Sequence, residues 1–169
     1  MVSLDDFADV AVHQWRQQRP DLDLSAMATL ARFVRLARVG GAVVDATFAA
    51  RDLDRGEFDV LATLRRIGPP FALSPSELAD RLLVTRGGMT KRIDRLVQRG
   101  LVRRQRDLDD RRAVAVSLTA DGIALIDRLI VEHCERESAL LDVLSDDDRQ
   151  ALDRIVRRLL EHAERSARG

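Results

Sequence analysis

The chain has 169 residues, 28 basic and 28 acidic, so its formal charge is zero. With 46% hydrophobic and 33% charged residues, nine glycines and only four prolines, it falls outside the disordered and fibrous classes and favours helices. A single cysteine, Cys134, excludes a disulfide framework and a thiolate zinc site, and the apolar runs fall far short of the roughly 20 residues a membrane helix needs.

Leu4-Asp5-Asp6-Phe7 opens as an amphipathic helix instead of a targeting leader, so a cytoplasmic protein with no membrane partner is expected. Phe7, Val10, Ala11 and Trp15 at helical spacing carry that helix from Ser3 to Gln18, and Gln18-Arg19-Pro20-Asp21 breaks it. A second pattern runs from Leu24 to Arg51 through Met27, Leu30, Phe33, Val34, Leu36 and Ala37, with Gly40-Gly41 as a weak point. Arg55-Gly56 reads as a turn before a compact helix from Glu57 to Arg66, which Gly68-Pro69-Pro70 stops. Ser74-Pro75-Ser76-Glu77 combines an N-cap serine, a proline at the first helical position and a glutamate three residues after the cap. The short helix it starts, with Leu78, Ala79 and Leu82, is followed by one that Thr85 caps and that runs to Arg99, with Gly100 as its stop. Two short helices joined by a tight turn form a helix-turn-helix.

Leu101 to Arg104 is strand-like, residues 107–112 form a charged turn, and Val114, Val116 and Leu118 share one face at period two. A β-hairpin directly after a recognition-type helix makes this a winged helix-turn-helix in a mainly α fold. Thr119-Ala120-Asp121-Gly122 leads into a long helix to about Val143. Ser145 and three aspartates then start a last helix striped by Leu152, Ile155, Val156, Leu159 and Leu160.

The zero net charge hides an asymmetry. From Thr85 to Arg112 there are ten basic and four acidic residues, a polyanion-binding face in an otherwise acidic chain. At about 100° per residue, Met89, Ile93, Leu96 and Val97 fall on the buried arc of the second helix, while Gly87, Thr90, Lys91, Asp94 and Arg95 point away. Such a helix suits the major groove of double-stranded DNA. Ser74, Thr85, Arg86, Gly87, Thr90, Lys91 and Arg95 are its candidate contacts, and Asp110, braced against Arg111 and Arg112, would present the wing tip to the minor groove. Arg92 lies at the margin of the buried arc, where it needs an anion, either a carboxylate such as Asp59 or a ligand. Cys134 follows Ile123, Ile126 and Ile130 at near-helical spacing and is expected to be a buried thiol. His13, His133 and His162 specify no metal site. No nucleophile–base pair or phosphate loop points to catalysis, and nothing calls for a cofactor.

Asp110 to Thr119 followed by Gly122, together with Glu57 to Leu61 and Leu96 to Val102, resembles the MarR family of transcription regulators. The resemblance implies a homodimer on a palindromic operator. Residues 1–54 and 121–169 would carry the dimerisation helices and residues 55–120 the DNA-binding lobe. Most such regulators are repressors released by a small ligand. The N-terminal helix with Trp15, followed by Arg19-Pro20-Asp21-Leu22-Asp23, is similar to the family's urate-responsive subgroup. That likeness implies an effector pocket of Trp15, Asp59, Arg92 and Arg104 for urate or another aromatic anion. Two other readings stay open: a winged-helix regulator without an effector or under redox control through Cys134, and a helical interaction protein whose basic face binds an acidic partner.

Overall fold

The computed structural model describes residues 6–106 and 114–168. Ten elements follow in order: α1 (Phe7–Gln18), α2 (Met27–Ala49), α3 (Arg55–Arg66), β1 (Ala72–Leu73), α4 (Pro75–Arg81), α5 (Arg86–Gln98), β2 (Val102–Arg106), β3 (Val114–Leu118), α6 (Ala120–Leu141) and α7 (Asp146–Arg168). They fall into two compact units, Met1–Ala46 and Thr47–Gly169. No helix among the described residues is long and apolar enough to cross a membrane.

In the first unit Asp6 caps α1 by accepting from the backbone N–H groups of Ala8 and Asp9 at 2.9 and 3.1 Å. Arg32 of α2 donates to Asp6 and Asp9 at 2.6 and 2.7 Å, tying the two helices together. α2 runs unbroken through Gly40 and Gly41, because flanking helix formers outweigh a cost of about 1 kcal/mol per glycine.

The second unit is built on caps. Asp54 and Glu57 form a reciprocal capping box that starts α3 at Arg55, so Arg55-Gly56 is the helix's first turn and not a separate one. Ser74 and Glu77 repeat the device at α4, with Pro75 in the first turn. Thr85 caps α5. That helix ends in a Schellman motif, in which Gly100 donates to Val97 O at 2.9 Å and Leu101 to Leu96 O at 3.0 Å. The motif needs a left-handed residue, and Gly100 supplies it at φ 69°. The chain turns sharply there into β2.

β2 pairs antiparallel with β3 in the register Val102↔Leu118 to Arg106↔Val114. β1 adds to the other side of β3, Ala72 opposite Ser117 and Leu73 opposite Val116, so the sheet order is β1-β3-β2. The hairpin matches expectation, whereas β1 has only two residues and no alternation to announce it. Between the helices and this sheet Phe58, Leu61, Leu64, Leu78, Met89, Ile93, Leu96, Val116, Ile126 and Leu129 are fully or almost fully buried. Each contributes about 1.5–3 kcal/mol over an exposed position. Phe48 stacks on Phe58 with centroids 4.1 Å apart, and His133 packs against both rings.

Cys134 is exposed, against expectation. α6 buries Ile126, Leu129 and His133, and this phase turns Ile130 and Cys134 outward. Ile126 belongs to both runs, but Ile130 and Cys134 continue the stripe beside the buried one.

Candidate nucleic-acid interface

α5 is the candidate reading helix, and its buried side fixes its exposed one. Met89, Ile93 and Leu96 anchor it in the core. Arg86, Gly87, Thr90 and Lys91 are therefore presented to solvent over the first two turns. The Thr85 hydroxyl accepts from the Gly88 N–H at 3.2 Å, and the Thr90 hydroxyl donates to the Arg86 carbonyl at 3.0 Å. Arg86 and Lys91 form no ion pair among the described residues, so both cations are free for phosphate or base edges. Ser74 is half-buried, and its hydroxyl donates to Glu77 at 2.7 Å as part of the α4 cap.

Arg95 is engaged within the protein. It reaches Asp54 at 2.7 Å and Glu57 at 2.9 Å, and only 6% of the Glu57 side chain is exposed. The second Glu57 oxygen accepts the Asp54 backbone N–H at 2.9 Å. The α3 cap and the reading helix are thus one hydrogen-bonded assembly. Arg99 extends it by donating to the carbonyls of Arg51 and Asp52.

On the wing, Arg103 donates to Ser117 at 3.2 Å and Arg104 pairs with Asp94 of α5 at 2.6 Å. Asp110, Arg111 and Arg112 lie outside the described residues.

Of the four candidate effector residues, three belong to the second unit. Asp59 is half-buried on α3 and lines a cleft of about 610 Å³ with Phe58, Thr63, Arg66, Ile126 and His133. Arg92 is half-buried and lies against Gly56, one turn before Asp59. It forms no ion pair among the described residues. Arg104 is the partner of Asp94. Trp15 stands on α1 in the first unit, about half exposed.

A family model described as MarR family matches residues 51–113. The HTH-type transcriptional regulator PecS of Dickeya dadantii is 39% identical over 151 residues, covering 89% of this chain and 91% of its own length. The chain belongs to the MarR family. It is a transcription regulator, and regulators of this family bind DNA operators as dimers. A solved structure of Bordetella bronchiseptica BpsR, described as concerning regulation of its DNA binding by 6-hydroxynicotinic acid, is 26% identical with a TM-score of 0.68, over 83% of this chain and 96% of that one. An Escherichia coli MarR mutant complexed with operator DNA shares the fold at a TM-score of 0.68 and 24% identity, over 86% of this chain and 97% of that one.

Within this MarR-family lobe, sequence reasoning missed Asp54, Glu57, Gly56 and Asp94. The capping-box spacing of Asp54 and Glu57 stood in the sequence as plainly as that of Ser74 and Glu77. Their pairing with Arg95, 38 residues or more downstream, had no local signal. His133 was also passed over: its Nδ1 is buried without a hydrogen-bond partner among the described residues, while Nε2 meets Glu137 at 3.1 Å.

Proposed function

We propose that this regulator is a repressor whose homodimer reads a palindromic operator and is released by a small planar anion such as urate or an aromatic acid. One observation carries the DNA reading. The core residues of α5 orient Arg86, Gly87, Thr90 and Lys91 outward together, with both cations unpaired among the described residues. Thr85 and Ser74 set the two helix starts against the phosphates, and Arg95, half exposed and held by Asp54 and Glu57, orients α5. Residues 55–120 are the DNA-binding lobe. Residues 1–54 and 121–169 supply the dimer contacts, which gives a role to the apolar side chains exposed in the single chain, among them Val34 and Val39 on α2 and Ile155 and Leu160 on α7.

The effector reading rests on Arg92. A half-buried cation on the reading helix, without an ion pair among the described residues, is a ready partner for an anion. Arg104 is the second clamp, exchanging Asp94 for the anion, and Asp59 adds repulsion that displaces α3 from α5. A ligand that binds more tightly to the DNA-incompetent arrangement shifts the population away from the operator. The regulated DNA binding described for BpsR by 6-hydroxynicotinic acid supports an aromatic acid as the class.

The test is fluorescence anisotropy with a duplex chosen by random-sequence selection on the wild-type protein, titrated with urate and separately with 6-hydroxynicotinate. Release by either, lost in Arg92→Ala when the duplex is saturated with the variant protein, is the expected result. Tight binding unmoved by both would withdraw the effector and leave the DNA reading standing. An affinity for scrambled duplex equal to that for the selected one would withdraw the operator reading as well.

A further inference from the structure

Two arginines one turn apart on α5 face the first turn of α3, and they are held differently. Arg95 is gripped by two carboxylates, whereas Arg92 rests on a glycine. A Cβ built on Gly56 would overlap the Arg92 guanidinium, and the three atoms nearest to it all belong to Arg92.

Gly56 is buried inside α3, and nothing about its backbone demands glycine: it is absent from the positive-φ residues. Alanine at a helical position is favoured over glycine by about 1 kcal/mol. The missing side chain therefore has one structural correlate, the space that Arg92 fills. We propose that Gly56 is a positioning residue, the seat in which Arg92 sets the stand-off between α5 and α3 and so the presentation of Arg86, Thr90 and Lys91. The inference rests on α5 being the DNA-reading helix. Asp59 lies one turn further along α3, so an anion that lifts Arg92 from the seat acts at the same joint.

The seat makes a distinctive prediction, because the colliding group is the far end of a flexible side chain. Gly56→Ala ejects Arg92 and leaves the fold intact. It should reproduce the effect of Arg92→Ala, weakening binding to the selected duplex about tenfold with no drop in the unfolding midpoint. The double variant should be no weaker than Arg92→Ala alone, since both changes remove one contact.

All three variants and the wild type are compared on the selected duplex and on a scrambled one, with thermal unfolding alongside. Loss confined to the selected duplex, and non-additive, supports the seat. Full affinity in Gly56→Ala, or an equal further loss when it is added to Arg92→Ala, overturns the seat and leaves the α5 reading untouched. Failure of the wild type to prefer any duplex removes the reading on which the seat rests. If Gly56→Ala does not fold, folding of the double variant supports the seat, and its failure to fold overturns it.

Discussion

Gly122, in the first turn of α6, is where the fold tolerates a side chain least. A Cβ there would land on the carbonyl oxygen of Leu101, a backbone atom that no rotamer change can move. The same carbonyl accepts the Thr119 N–H at 3.1 Å, and the Thr119 hydroxyl caps α6 by accepting the Gly122 N–H at 3.0 Å. Gly122→Ala must therefore push α6 away from the end of α5. The cost is about 1 kcal/mol for the displaced backbone hydrogen bond, about 1 for the weakened cap and about 1–3 for strain. Against this stands a gain of about 1 kcal/mol in helix propensity, so a net loss of about 2–4 kcal/mol is expected. At fixed protein concentration that lowers Tm by about 4–16 °C. Gly41→Ala is the control: it sits inside α2 with nothing among the described residues within 4 Å of an added Cβ, so it should gain up to about 1 kcal/mol. A Gly122→Ala chain that melts at or above the wild-type midpoint would refute the close-approach reasoning.

Three further outcomes are expected. Glu57→Gln keeps the shape of the α3 cap but removes the buried charge that Arg95 holds, and should cost about 1–2 kcal/mol in urea unfolding; no change would mean that Asp54 alone anchors Arg95. The Arg32 guanidinium, with the Asp9 and Ala8 amides, holds the Asp6 carboxyl below the usual carboxylate range. Because the folded value is the lowered one, the stabilisation it links to is complete above the unfolded value and fades only as pH falls through the folded one. Amide protection at Ala8 and Asp9 should persist at about pH 4, and its loss above that pH would contradict the tie. Lys91→Ala should weaken selected and scrambled duplexes alike and reduce the slope of log K against log salt by about two, one for each lysine of a homodimer, whereas a loss confined to one base position would make Lys91 a base reader.

The parts of this fold legible in the sequence were those written in local chemistry. Ser74-Pro75-Ser76-Glu77 announced α4 and Thr85 announced α5. The alternation of Val114, Val116 and Leu118 announced the strand behind the wing, and the 3.6-residue wheel placed Met89, Ile93 and Leu96 inside. Arg92 was located at the right margin, but its contact with Gly56, 36 residues upstream, had no local signal. What stayed hidden depends on parts of the chain far apart in sequence. β1 exists because Ala72 and Leu73 find an open edge of β3, and Arg95 belongs to α3 because Asp54 and Glu57 meet it there. Cys134 failed for a different reason: two apolar stripes run along α6, and only packing decides which is inside.

The order β1-β3-β2 leaves β2 with one flank bonded to β3 and the other at the rim of the sheet. A rim strand is an invitation to strand addition by another chain, the usual route from small sheets to aggregates. Here that strand reads Val-Arg-Arg-Gln-Arg, and the Arg103 and Arg104 side chains are exposed along it. A second copy approaching edge-on would bring arginine against arginine, so the cations that suit a regulator to a polyanion also keep its strands from recruiting their own kind.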